Sequence, residues 1–190
     1  GMILGEATVS DQPVDLETAL ARIEASHAAM VFLVMRGSDV GVILRALRAS
    51  HRRPKVVAFA TSEKDLAPFA DAAEGLLTVS TYCSGVASPV AEAFNARFLR
   101  RYGRGSSPDA ICEASYCSVC LFASALEHVG SAESDIIADA LLGMSLRGPQ
   151  GQVTIDPESN AASLWPRVLR WGPYSRFEIV VESDRAMMPD

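Results

Sequence analysis

The sequence predicts an α/β fold with a parallel sheet and flanking helices, followed by a helical segment and a few closing strands. Two observations carry this. An unbroken apolar run at Met30–Met35, a short apolar run at Val56–Phe59 and a further strand-like stretch at Leu76–Tyr82 alternate with stretches whose apolar residues recur at i, i+3, i+4 and i+7. An unbroken run suits a strand covered on both faces of a parallel sheet, and the helical stretches between such runs are right-handed crossovers.

The elements follow in order. Ile3 to Val9 has the composition of a strand. Asp15 is a good N-cap for a helix with Leu16, Ala19, Leu20 and Ile23 on one face. The strand 30–35 leads through Gly37-Ser38-Asp39, a chain break, into a helix marked by Val40, Ile43, Leu44 and Leu47. After Val56–Phe59, Thr61-Ser62 caps a short helix from Glu63, and 76–82 is the next strand. Past Cys83 the alternation stops. Ser88-Pro89 sets a cap and a first-turn proline for a helix to Tyr102. Gly103–Ser107 is a turn, Pro108 opens a long helix to Val129 that Gly130 ends, and a third helix covers 133–142. Strands close the chain at about 152–156, 164–171 and 176–183. The expected division is an α/β lobe of residues 3–82 plus 176–185, and a helical return segment with strands over 83–175.

With 190 residues the chain can bury one good core or two small lobes. A net charge of −6 argues against a nucleic-acid surface, and no run of 18 uncharged apolar residues predicts a membrane-inserted helix. Arg45, Arg48, Arg52, Arg53 and Lys55 form a local basic patch, read as a solvated helix end, with a phosphate or partner contact as the alternative. Gly1 ahead of Met2 reads as a tag-cleavage remnant, and no signal peptide is seen. Four cysteines in that context suggest a reducing, cytoplasmic compartment, or a periplasmic one if an exported upstream half exists.

Cys112, Cys117 and Cys120 have the C-x4-C-x2-C spacing of plant-type iron–sulfur ferredoxins, with Cys83 as a fourth. Their context is helical, and on a helix positions five apart point about 140° away from each other. They read instead as small buried thiols, with no cofactor and no metal expected. His27, His51 and His128 fall at helix ends, where imidazole bonds the last carbonyls. Glu113, Glu127 and Glu133 read as water-facing helix residues. No nucleophile–base pair can be assembled: Ser38 directly follows Gly37, so the G-x-S-x-G elbow is absent, and no catalytic residue is expected.

In open parallel sheets ligands bind beyond the carboxyl ends of the strands, at helix starts. The residues so placed are Gly37, Ser38, Asp39, Thr61, Ser62, Glu63 and Tyr82, with Cys83 and Ser84 beside Tyr82. Their hydroxyls and backbone N–H groups suit a small polar ligand, although Ser38 or Asp39 and Thr61 or Ser62 serve equally as plain caps. A carboxylate at Asp39 would repel an anion, which favours a neutral amide or urea.

Gly148-Pro149-Gln150-Gly151-Gln152-Val153-Thr154-Ile155-Asp156-Pro157 makes a stiff turn and then alternates polar and apolar residues. Together with Leu164-Trp165-Pro166-Arg167-Val168, Arg176-Phe177-Glu178-Ile179-Val180, Glu113-Ala114-Ser115-Tyr116 and Ala58-Phe59-Ala60-Thr61-Ser62-Glu63, it resembles the type I periplasmic-binding-protein family, in its amide- and urea-binding branch. That branch includes solute receptors of ABC transporters and a cytoplasmic sensor that represses an amidase operon. The chain looks like the second half of such a protein. The resemblance implies an incomplete two-lobed fold that is not an enzyme and that closes on a small amide, urea or branched-chain amino-acid-like ligand. The alternative is a half-protein serving as an assembly module without a ligand. The helix face of Phe94, Phe98, Leu99, Ile111, Tyr116, Leu121, Phe122 and Leu126 is expected to need cover, from a second copy in a homodimer or from a missing first lobe.

Overall fold

A computed structural model of the chain describes residues 1–9, 13–35, 39–50, 53–59 and 61–188, with the side chains of 13 and 14 excepted. Its elements in chain order are α1 (Pro13–Ser26), β1 (Met30–Val34), α2 (Asp39–Ala49), β2 (Lys55–Phe59), α3 (Glu63–Leu66), α4 (Ala70–Ala73), β3 (Leu77–Ser80), α5 (Pro89–Tyr102), α6 (Ala110–Val129), α7 (Ser134–Leu141), β4 (Ser145–Gly148), β5 (Gly151–Thr154), β6 (Arg167–Gly172) and β7 (Arg176–Glu182). The larger sheet runs β1-β2-β3-β6-β7, and β4 and β5 form a separate antiparallel pair. The predicted parallel pairing holds between β1 and β2 and between β2 and β3.

Two compact units divide the chain, residues 1–79 with 170–176 and residues 80–169 with 177–190. The expected boundary near 83 and the return of 176–185 to the first lobe both differ from this. The second half of β6 joins the first unit because Trp171 exchanges backbone hydrogen bonds with the 75–76 segment. Its N–H donates to the Leu76 carbonyl at 2.8 Å, and its own carbonyl accepts from Gly75 at 3.2 Å.

The first unit buries one face of its sheet. Val31, Leu33 and Ala58 of the sheet and Val40, Ile43, Leu44 and Leu47 of the amphipathic α2 are all buried. Gly41 is where α2 comes closest to Phe69, since an added Cβ would lie 2.1 Å from the ring. Arg45 is exposed and Arg48 half-buried in the last turn of α2, as expected of a helix end, and both also bond to neighbouring carbonyls. Arg45 lies over the Phe69 ring at 4.5 Å and donates to the Pro68 carbonyl. Arg48 donates to the carbonyls of Ala72 and Glu74 and so closes off the end of α4. Arg52 lies outside the described residues.

Two expectations fail in this unit for one reason. β1 is not covered on both faces: Met30, Phe32 and Val34 are exposed, Val34 at 72%. Residues 3–9 form no strand. A strand exists only through its ladder. β1 stands at the sheet edge, and nothing among the described residues is hydrogen-bonded beyond it.

In the second unit, α5 and α6 begin and end as their caps dictate. Ser88 accepts from the Ala91 N–H and Asp109 from the Cys112 N–H, while Gly130 ends α6 in the left-handed region at φ 63°. Pro149-Gln150 turns β4 into β5, with Leu146 opposite Val153. β4 went unread in the sequence because Ser145–Gly148 is only four residues long and carries a single large apolar side chain, Leu146. Cys117, Leu121 and Val153 form the core against which Tyr116, Leu141, Met144, Leu146 and Ile155 pack.

The predicted helix face is partly internal. Phe94 and Leu121 are buried, whereas Leu99, Ile111 and Phe122 are exposed, Ile111 at 74%. By length and composition α6 is apolar enough to cross a membrane. Its Glu113, Cys117, Leu121 and Ala125 are instead buried within the unit.

Candidate functional site

β1 and β2 are parallel and in register, Val34 opposite Phe59. The segments that follow them, one to Asp39 at the start of α2 and one to Glu63 at the start of α3, therefore leave the same carboxyl edge of the first unit's sheet. Asp39 is an exposed acidic group in the first turn of α2. Gly37 and Ser38 lie outside the described residues.

Ser62 is a cap, one of the two readings its sequence left open. Its hydroxyl accepts from the Asp65 N–H, and the Asp65 carboxylate accepts in turn from the Ser62 N–H at 3.1 Å and hydroxyl at 2.7 Å. Thr61 is not a cap. The residue is 6% exposed, and its Oγ1 has no hydrogen-bond partner among the described residues. A buried hydroxyl without a partner costs roughly 1–3 kcal/mol. Thr78 Oγ1 on β3, opposite Ala58, is orphaned in the same way. Glu63 is half-buried beside them in sequence, at the first position of α3.

Tyr82 belongs to the second unit. It is buried, and its hydroxyl donates to Asn95 Oδ1 at 2.7 Å while Asn95 Nδ2 donates to the Ser84 carbonyl at 3.1 Å. Its ring meets Phe94 edge-on at 5.7 Å, and Phe94 continues to Tyr116 at 5.0 Å. Burial and a hydrogen bond with Cys120 raise the Tyr116 hydroxyl above its usual range, so it stays protonated and accepts from Arg97 Nη2 at 3.0 Å.

The cysteines lie along α6 as the helical reading requires, and Cys83 is buried apart in sequence. Cys117 is pushed far up from the ordinary thiol range, first by burial and then by its hydrogen bond to Glu113. It is therefore a poor source of thiolate for a metal or a nucleophile. Among the described residues no three His, Cys, Asp or Glu side chains stand close enough to hold a metal ion. Glu113 corrects an expectation outright. It is fully buried, not water-facing, and accepts from Gln150 Nε2 at 2.8 Å, from the Gln150 N–H at 3.3 Å and from Cys117 Sγ at 3.0 Å.

A cavity of about 180 Å³ lies at the opposite, amino edge of the first unit's strands, between Leu44, Leu47, Arg48, Arg53, Lys55 and Leu76. It shares none of the predicted site residues.

Comparison with known proteins defines the class to which this fold and site belong. The family model described as "Periplasmic binding protein domain" matches residues 3–190, and the chain belongs to that family. No curated protein sequence matched it. Among solved structures, the amino acid ABC transporter substrate-binding protein of Pseudomonas fluorescens superposes with a TM-score of 0.84 at 18% identity, over 98% of this chain and 52% of that one. A solute-binding protein of an R. palustris ABC transporter, in complex with benzoate, gives 0.81 at 16% over 96% and 51%. A leucine-binding protein of Thermotoga maritima gives 0.77 at 20% over 88% and 48%. The chain thus spans about half the length of the structures it matches. Its neighbours are type I binding proteins of the branched-chain amino acid and ABC-transporter kind, as the resemblance implied.

Proposed function

We propose that this chain is part of a small-solute receptor and that its own share of the ligand shell is the carboxyl edge around Thr61. The orphaned, buried Thr61 hydroxyl carries the reading, because a hydroxyl in that state gains most from a polar partner. Asp39 and Glu63, in the first turns of the helices that follow β1 and β2, bring negative charge to the same edge of the sheet, which favours a neutral or zwitterionic ligand over a free anion, so an amide, urea or branched-chain amino acid fits best. Ser62 orients α3 through its capping box, and Gly37, Ser38 and Tyr82 stay in the proposal by their place in the sequence alone. The chemistry offered is binding and not catalysis. In this reading the protein hands solute to an ABC transporter or, in the cytoplasm, senses an amide and regulates amidase expression. A periplasmic location accompanies the transporter role.

Thermal denaturation with acetamide, urea, leucine and 4-hydroxybenzoate tests the ligand class. Ligand at 100 times its dissociation constant adds about 2.7 kcal/mol of stability, a rise in Tm of several degrees. A rise with the amides or leucine supports the reading, and a rise with the benzoate alone overturns the charge argument.

A second reading draws on the exposed apolar side chains. Met30, Phe32 and Val34 on β1 and Ile111, Val119 and Phe122 on α6 are each more than half or about half exposed. Such side chains favour cover by another polypeptide, most simply a second copy. A homodimer, with or without a ligand, is the partner proposed. Silence in the ligand screen, together with dimer mass in light scattering at micromolar concentration, favours a pure assembly module.

A further inference from the structure

The chain passes from one unit to the other at 79/80, at 169/170 and at 176/177. One buried cation in the second unit stands at the root of these passages. Arg167 is 3% exposed and lies two residues before the second passage. Its Nη1 donates to the carbonyl of Thr81, just after the first passage, and to that of Trp165 at 3.1 Å. Its Nη2 donates to the Gln150 carbonyl at 2.8 Å and to the carboxylate of Glu182, on the strand that follows the third passage. Gln150 is itself held by Glu113, and its Oε1 accepts from the Trp165 N–H at 3.2 Å.

We infer that Arg167 is a positioning residue for motion between the units, acting as the shared anchor from which the connecting segments flex. A planar guanidinium with its donors in a fixed fork can hold several acceptors at once, which a lysine ammonium cannot do in the same geometry. Hydrogen bonds to Thr81 and Glu182 fix the second unit's ends of two passages to the strand that makes the other. Bending is then confined to the few residues around 79/80, 169/170 and 176/177, as hinges require. The Glu182 carboxylate is 46% exposed, so this arm of the clasp is reachable from solvent. The inference rests on the reading of a binding protein whose units move. Its test uses no ligand, so either reading can fail while the other stands.

Amide hydrogen exchange on the full chain provides that test, comparing the parent with Glu182→Gln and Arg167→Met. Arg167→Met should speed exchange about tenfold or more at the amides of 79–83, 170–172 and 177–179, while the centre of α6 changes by less than about threefold. Glu182→Gln removes one charge and leaves the three carbonyl acceptors, so it keeps the fold and should show a smaller rise at the same amides. A uniform rise across the second unit in either variant would make Arg167 a plain core residue and overturn the proposal. So would no change at the three segments in Glu182→Gln, even if Arg167→Met failed to fold.

Discussion

Glu113 and Gln150 stand 37 positions apart in sequence, and the Gln150 side-chain amide donates to the Glu113 carboxylate at 2.8 Å inside the second unit. The bond joins the middle helix of that unit to the turn of its hairpin. It also explains why Pro149-Gln150-Gly151 is so distinctive a stretch. The turn presents an N–H and an amide to a buried carboxylate, Gly148 admits that carboxylate and Cys117 Sγ where a Cβ would sit 2.7 Å from the sulfur, and Gly151 at φ 134° leaves room for the Trp165 indole.

Replacing Glu113 by Ala strands the Gln150 donors without an acceptor and opens a cavity beside Cys117. The expected loss is about 2–5 kcal/mol of stability, read as a lower urea midpoint at unchanged slope. Glu113→Gln keeps the shape and should lose less.

Gly41→Ala should destabilise the first unit although alanine is the better helix former. The gain in propensity is about 1 kcal/mol, whereas forcing a methyl against the Phe69 ring costs about 1–3 kcal/mol. Pairing it with Phe69→Leu should restore part of the loss in thermal denaturation.

The four cysteines should separate by reactivity. Burial and the neighbouring Glu113 raise the Cys117 thiol, so at pH 8 a maleimide should label the half-buried Cys112 and Cys120 well before Cys117. Peptide mass mapping of a time course reads the order directly.

Asp156 gives a pH dependence of known sign. Its carboxylate accepts from the Ser159 hydroxyl at 2.6 Å and N–H at 2.9 Å, and these bonds hold its pKa below the ordinary carboxylate range. A depressed folded pKa gives stability that is present above the unfolded value, about 3.9, and is lost as pH falls through the folded one. The stability difference between the parent and Asp156→Asn should therefore be constant near neutral pH and shrink below about pH 4.

Caps, breaks and apolar spacing made most of the fold readable, because each is a local device. Ser88-Pro89, Asp109 and Gly130 mark helix ends that the structure places within a residue or two. What escaped was non-local. The charge of Glu113 suggests water, and only Gln150, far along the chain, shows why it is buried. Arg45 and Arg48 found their partners in Pro68, Ala72 and Glu74 across a loop. The apolar run 30–35 gave the strand correctly, but such a run says nothing about whether a second layer exists to cover it. At the candidate site, the position of Thr61 after a strand was legible, whereas the want of a hydrogen-bond partner for its hydroxyl among the described residues is a three-dimensional fact.

Titration calorimetry of acetamide, urea and leucine into the parent chain and into Thr61→Val tests the central claim most directly. Thr61→Val removes the orphaned hydroxyl and keeps the shape. Saturable binding by the parent that weakens about tenfold or more in the variant, a loss of roughly 1.4 kcal/mol, is the predicted result. Binding of equal strength in both proteins, or no heat with any of the three at millimolar concentration, would contradict it.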